Sequence, residues 1–354
     1  LYGLTSYDRR IGVSPIQLGD PDLKWERTKQ YDFGVDYGLF NNFLTGEVDY
    51  YKKTTNDLLF NQPLPGTSGF TSIVRNVGEM VNEGIEVSMT ANLFSGSDFS
   101  WNVTGLFTKN QNTLTNLPSG DIIDGVNILR EGEALSSFYL YEYAGVDPDN
   151  GDALYFINSL NADGTLNRDT TNDVSQANRI VTGNPFPEYQ LGLNSTMKIK
   201  NFDFAFILQG EFGASIFDQA GKFTSGNAQF FDNQTVDQLN RWQNPGDITD
   251  VPQARLNDEN GQADSTRYLE DADFIRLRNI SFGYTIDPSF SDKFYLEKVR
   301  FYFSGLNLFT LTDYEGYDPQ STADFNGNSG VRSGVSFYSA PPAKTYTFGV
   351  NIEF

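Results

Sequence analysis

The chemistry open to this chain is bounded first by two residue types that are missing from it. Among its 354 residues there is no histidine and no cysteine. That removes Ser-His-Asp and Cys-His triads, imidazole-ligated zinc, thiolate metal sites and disulfides. Carboxylates are plentiful, with 46 Asp and Glu against 25 Lys and Arg, a formal charge of −21. Two paired acids can divide the work of glycoside hydrolysis, and the tightest groups are Glu131 with Glu133 and Glu270 with Asp271 and Asp273. Both groups fall where an apolar segment meets a polar connection, a place where acids are ordinarily just solvated, so no catalytic residue is expected. Asp147-Pro148-Asp149-Asn150-Gly151-Asp152 sets oxygens at alternate positions as calcium loops do, but it lacks their distal bidentate Glu. Asp, Pro, Asn and Gly also form turns for backbone reasons of their own, and Asn161-Ala162-Asp163-Gly164 reads the same way. No metal or cofactor is expected. No Gly-rich phosphate loop precedes a helix, and the acid excess argues against nucleic acid as a partner. Arg276 and Arg278 could offer anion contacts; pairing with acids such as Asp271 or Asp273 is the reading preferred here.

The elements that would carry these residues are strands. Hydrophobic residues make up 38% and aromatics 15%, with 30 Phe and 19 Tyr. The longest apolar run, Phe204 to Leu208, is far short of the ~20 residues of a membrane helix. The dominant period is two, as in a strand with one apolar face. Tyr346, Phe348, Val350, Ile352 and Phe354 alternate with polar residues to the end of the chain, and Phe202, Phe204, Phe206 and Leu208 alternate with Asp203 and Gln209 among others. Around Asn279 the phase slips, as a β-bulge would make it. Strands are expected over 24–40, 43–60, 80–94, 98–113, 135–146, 152–158, 186–199, 202–217, 270–287, 297–312 and 343–354. Several are much longer than the 5–6 residues usual in soluble sandwiches and long enough to cross a bilayer. Tight turns alternate with long polar connections at 61–79, 114–134, 159–185, 218–269 and 313–342. Outer-membrane barrels have this asymmetry, with short periplasmic turns and long extracellular loops. Trp25, Tyr139, Tyr141 and Tyr143 at strand ends suit an interfacial aromatic girdle. Phe230, Phe231, Trp242, Tyr314 and Tyr317 lie on the two longest connections, where aromatics can stack on sugar rings or pack on a partner protein.

Five motifs in order along the chain resemble SusC/RagA-type TonB-dependent outer-membrane transporters. They are Pro21-Asp22-Leu23-Lys24-Trp25-Glu26-Arg27-Thr28-Lys29-Gln30-Tyr31-Asp32-Phe33-Gly34-Val35-Asp36, Asn76-Val77-Gly78-Glu79-Met80-Val81-Asn82-Glu83-Gly84-Ile85-Glu86, Tyr143-Ala144-Gly145-Val146-Asp147-Pro148, Phe274-Ile275-Arg276-Leu277-Arg278-Asn279-Ile280-Ser281-Phe282-Gly283-Tyr284, and the closing segment from Ala343 to Phe354. The resemblance implies an all-β fold. Residues 1–354 would be the second half, about eleven antiparallel strands, of a transmembrane barrel of about 22. Plug, TonB box and first barrel half would lie outside this segment. It implies outer-membrane import of a glycan or peptide nutrient in a Gram-negative bacterium, with long loops extracellular and the C-terminus periplasmic. The partners implied are a SusD-like surface lipoprotein, TonB acting through the plug, the rest of the barrel, and outer-membrane lipid. The loop aromatics would then touch ligand or lid, and Tyr346, Phe348, Val350, Ile352 and Phe354 would close the barrel and signal its insertion. No bond is broken in such a function, so no enzyme is expected. The competing expectation is a secreted β protein that binds or cleaves glycans.

Overall fold

The computed structural model describes residues 2–7, 10–226, 230–256, 259–291, 293, 295–322 and 331–354. Its frame is one antiparallel sheet of nine strands. These are β1 (Arg27–Leu39), β2 (Leu44–Asn56), β3 (Glu79–Ser95), β4 (Phe99–Asn116), β5 (Tyr189–Ile199), β6 (Phe202–Phe212), β7 (Phe274–Thr285), β8 (Lys298–Thr312) and β9 (Thr345–Glu353). Each pairs with the strands before and after it in sequence, and β1 and β9 form the two open edges.

Register converts the period of two into two chemically opposite faces, because a side chain's face is fixed by its parity along the strand. One row across the sheet reads Val35, Val48, Val87, Phe107, Leu191, Gly210, Ile275 and Leu311. Another reads Trp101, Met197, Phe204, Phe282, Phe303 and Phe348. A row on the opposite face reads Asn92, Asn102, Thr196, Ala205, Ser281, Ser304 and Thr347. Phe202, Phe204, Phe206 and Leu208 share the apolar face, while Asp203 and Gln209 share the polar one, as the alternation predicts. Asp203 there forms a bidentate ion pair with Arg300. The apolar face is uncovered by the chain itself, with Phe348 78% and Phe33 70% exposed. Soluble monomers rarely leave so continuous an apolar surface bare. The register shift predicted near Asn279 is present, with Arg278 as the extra residue opposite Ile207 and Leu208.

Two of the eleven expected segments are not in this sheet. Residues 135–146 and 152–158 do contain strands, Ser137–Tyr141, Tyr143–Val146 and Ala153–Phe156, but these pair within small separate sheets. The reason is that their inward residues have a different core to fill. Phe138 and Leu140 pack with Val126, Phe217, Tyr268 and Val335, and Tyr155 packs with Ala153 and Ala177. Their alternation reflects burial within the connections and not a sheet wall. A hairpin of Tyr2–Tyr7 and Arg10–Pro15 precedes β1 and was not anticipated.

With nine strands the asymmetry of the connections becomes simpler. The joins at 40–43, 96–98, 200–201 and 286–297 fall at one end of the sheet, and those at 57–78, 117–188, 213–273 and 313–344 at the other. The shortest joins exploit Asn and Lys in the left-handed region, at Asn41 (φ 53°), Asn42 (φ 63°) and Lys200 (φ 52°), conformations that Asn in particular tolerates. The long connections pack on one another: Leu58 and Phe60 from the first, Leu117, Ile122 and Leu129 from the second, and Val331 from the last share one buried cluster with Leu114 at the end of β4. They form a single cohesive body over one end of the sheet.

Candidate functional site

The clearest concavity in that body is a cavity of about 880 Å³ between the connections that follow β6 and β8. A three-stranded sheet positions its floor, in which Ser215–Asp218 pairs antiparallel with Leu269–Asp271 and parallel with Val335–Ser336. Ile216 lies opposite Glu270, so Glu270 and Asp218, two residues beyond Ile216, share one side of it. Tyr314 packs below, against Ala214, Ile216 and Ala272. Burial pushes its phenol up to about 12, with the Glu270 and Asp218 charges adding to the effect. Burial also raises the Asp218 carboxyl above its ordinary value, against the N–H groups of Ala220 and Gly221, which favour the charged form. Glu270 is raised in the same way, against the Glu315 N–H that its Oε2 accepts at 2.9 Å.

On the facing wall Arg267 is held from several sides. Its guanidinium donates to the Ser225 carbonyl at 2.6 Å, the Tyr268 hydroxyl at 2.9 Å and the Asp250 carbonyl at 3.3 Å, and lies 3.6 Å from Asp237. Tyr143 donates to the same Asp250 carbonyl at 2.9 Å, and burial raises its phenol strongly. Tyr317 and Tyr338 complete the rim. Among the described residues the lining carboxylates are Asp218, Asp237, Asp250, Glu270, Asp271, Asp313 and Glu315, against one cation, Arg267. Within this set Ser225 donates its hydroxyl to Asp237, a carboxylate that also lies beside Arg267.

The loop aromatics predicted as contacts divide sharply. Phe231 is fully exposed, Tyr317 is 78% exposed, and Phe230 is partly exposed while resting on Phe223 at 4.7 Å. Trp242 was expected to be exposed and is not: at 5% exposure it covers Gly151 and donates its indole N–H to the Pro148 carbonyl at 3.0 Å. Tyr314, also expected outside, is 7% exposed and reaches the surface only through the cavity it lines. Residues 227–229, 257–258 and 323–330 of these two connections lie outside the described residues. Tyr346, Phe348, Val350 and Ile352 stand on the apolar face of β9, with Phe348 opposite Phe303 and Ile352 opposite Val299, and Phe354 follows it, exposed.

The acidic groups weighed for catalysis or calcium have other occupations. Asp147 and Asn150 accept the N–H groups of Asp149 and Asp152, and Glu131 accepts the Leu117 N–H. Arg276 does not pair with Asp271 or Asp273. It is 1% exposed, forms an ion pair with Asp318 at 2.6 Å, and donates to Gln320 and Thr310 at 3.0 Å. Gln320 in turn donates to Glu211 at 2.9 Å, so the segment after β8 is tied to the polar face of β6 and β7. Sequence reasoning missed this latch and three of the cavity tyrosines, Tyr143, Tyr268 and Tyr338, as site residues. It did single out Glu270 and Asp271, by their clustering alone.

An up-and-down sheet with one bare apolar face, one polar face and every long connection at the same end is the wall of a transmembrane β-barrel, open here at both edges. Comparison with known proteins agrees. Residues 2–129 match the family described as TonB dependent receptor-like, beta-barrel. A protein named TonB-dependent receptor P3 from Formosa agariphila is 36% identical over 100% of this chain and 37% of its own length. TonB-dependent receptor SusC from Bacteroides thetaiotaomicron is 28% identical over 98% of this chain and 34% of its own. The solved structure of the RagAB peptide transporter superposes with a TM-score of 0.84 at 29% identity, covering 100% of this chain and 38% of that one. The chain belongs to the TonB-dependent receptors of the SusC/RagA kind and carries the C-terminal part of their barrel. It spans little more than a third of the length of the relatives it matches.

Proposed function

We propose that residues 1–354 form the C-terminal half of the barrel of an outer-membrane transporter that imports a glycan or peptide nutrient, driven by TonB. The observation that carries this reading is the register: apolar rows face one solvent and polar rows the other across all nine strands, as a barrel wall between lipid and an aqueous lumen requires. The remaining strands and the plug on which TonB pulls would come from outside this segment. A SusD-like lipoprotein would cap the end carrying the long connections, which would face outward, with Phe230, Phe231 and Tyr317 within reach of lid or cargo. Trp242 and Tyr314 would support those surfaces from within. The C-terminus would lie at the periplasmic side, with Tyr346, Phe348, Val350, Ile352 and Phe354 closing the barrel against its first strand. The bare apolar face speaks against the secreted glycan-binding or glycan-cleaving alternative, since a secreted protein would have to keep that face in water.

Uptake of labelled short peptides and oligosaccharides by cells making the complete receptor and its neighbouring lipoprotein tests the reading. Accumulation should fall to the level of receptor-free cells when TonB is removed or the proton gradient is collapsed. Accumulation unchanged by both treatments would leave passive diffusion in its place.

A further inference from the structure

Resting on the import reading, we propose that the tyrosine-walled cavity between the connections after β6 and β8 receives a positively charged group of the cargo, an ammonium or guanidinium. Arg267 already lies over the Tyr143 and Tyr268 rings, at 6.0 and 5.1 Å from their centroids, which leaves Tyr317 and Tyr338 at the rim to offer a ring face to an incoming cation. Arg267 is engaged by Asp237 among the lining acids, with Ser225, Tyr268 and the Asp250 carbonyl holding it there, and so does not neutralise the others. Asp218, Glu270, Asp271, Asp313 and Glu315 make no ion pair among the described residues. Asp271, Asp313 and Glu315 stand at the exposed rim, while Asp218 and Glu270 are partly buried, and burial raises both carboxyls. An arriving cation would relieve that penalty. An anionic cargo would add to it, and a neutral one would stack on the rings while leaving the carboxylates unpaired. The geometry therefore discriminates by charge.

Equilibrium binding to the purified complete receptor tests this without transport. The probes are dye-labelled tri-lysine amide, the same peptide acetylated on every side chain, and tri-glutamate, each followed by fluorescence anisotropy. Tri-lysine should bind about tenfold more tightly than its acetylated form, with an advantage that shrinks as salt is raised, and tri-glutamate should bind most weakly. The double variant Asp218→Asn/Glu270→Gln keeps the backbone hydrogen bonds, since both amides retain an accepting oxygen. It should lose most of the tri-lysine advantage while melting no lower than wild type, because two poorly solvated charges are gone. Tyr317→Ala, at a side chain 78% exposed, should weaken tri-lysine binding with the fold untouched. Parallel arms with a glucosamine trimer and its N-acetylated form show whether a peptide or an amino sugar supplies the cation. Equal binding of tri-lysine and its acetylated form, or an undiminished advantage in the double variant, would overturn the proposal. Uptake that depends on TonB yet shows no preference for cations would remove this site and spare the import reading. A cation preference in binding without TonB-dependent uptake would do the reverse.

Discussion

Residues 1–354 produced without further strands should yield no heat-resistant barrel in detergent or lipid. The edges β1 and β9 each present a row of N–H and C=O groups that no strand among the described residues pairs. In hydrocarbon each unsatisfied group costs several kcal/mol, and strands of 13 and 9 residues carry enough of them to outweigh the gain from placing the apolar rows in lipid. Two outcomes remain for the isolated segment, aggregation edge to edge or retention in a soluble, chaperone-bound state. Co-production with the upstream part of the receptor should restore a band that migrates as a folded barrel in unheated gels. In the complete receptor, Phe354→Asp should reduce the amount assembled in the outer membrane, because this exposed aromatic follows the strand proposed to close the sheet. A stable monomeric barrel from residues 1–354 alone would contradict the open-edge account, and normal membrane levels with Phe354→Asp would leave β9 with a closing role only.

Arg276→Leu should destabilise the segment that follows β8 by about 3–5 kcal/mol, the usual cost of stripping one partner from a buried ion pair. Asp318 at 7% exposure would be left charged with its guanidinium gone, and Gln320 would lose the donor that aligns it toward Glu211. The sheet itself should survive, since Arg276 contributes nothing to the strand ladder that leucine does not. The expected signature is therefore local: residues 313–322 become open to protease while the barrel keeps its resistance to heat. Arg276→Leu combined with Asp318→Leu should recover much of the loss, because replacing both charges removes the unpaired group. Equal protease resistance in Arg276→Leu and wild type would mean that the latch holds nothing that hydrophobic contacts do not.

How much of this was legible beforehand follows from the range of the interactions concerned. The wall strands could be read because their pattern is local: Phe202 to Leu208 declares its two faces within seven residues, and the slip at Asn279 shows as a break in phase. The same logic misassigned 135–146 and 152–158, since Phe138, Leu140 and Tyr155 alternate as strictly in a loop-body core as they would in a membrane wall. Period reports that one face is buried and is silent on what buries it. Trp242 failed for a related reason, as nothing near it in sequence reveals Gly151, about ninety positions earlier, as the surface it covers. The cavity was least legible of all, because Tyr143, Asp218 with Arg267, and Tyr314 with Ser336 come from three different connections and meet around the small sheet that includes Ser215–Asp218.

The central claim, that these strands form a wall between lipid and water, is tested most directly by cysteine accessibility along β5. These 354 residues hold no cysteine, so a single substitution is the segment's sole reporter once any cysteine elsewhere in the complete receptor has been replaced. In cells making the complete receptor, Gln190→Cys, Asn194→Cys and Thr196→Cys on the polar face should react with a small, charged, water-soluble maleimide. Leu191→Cys, Leu193→Cys and Met197→Cys on the apolar face should be protected until the membrane is dissolved. A period of two along Gln190–Met197 is the predicted result; equal reactivity on both faces in the intact membrane would contradict the account.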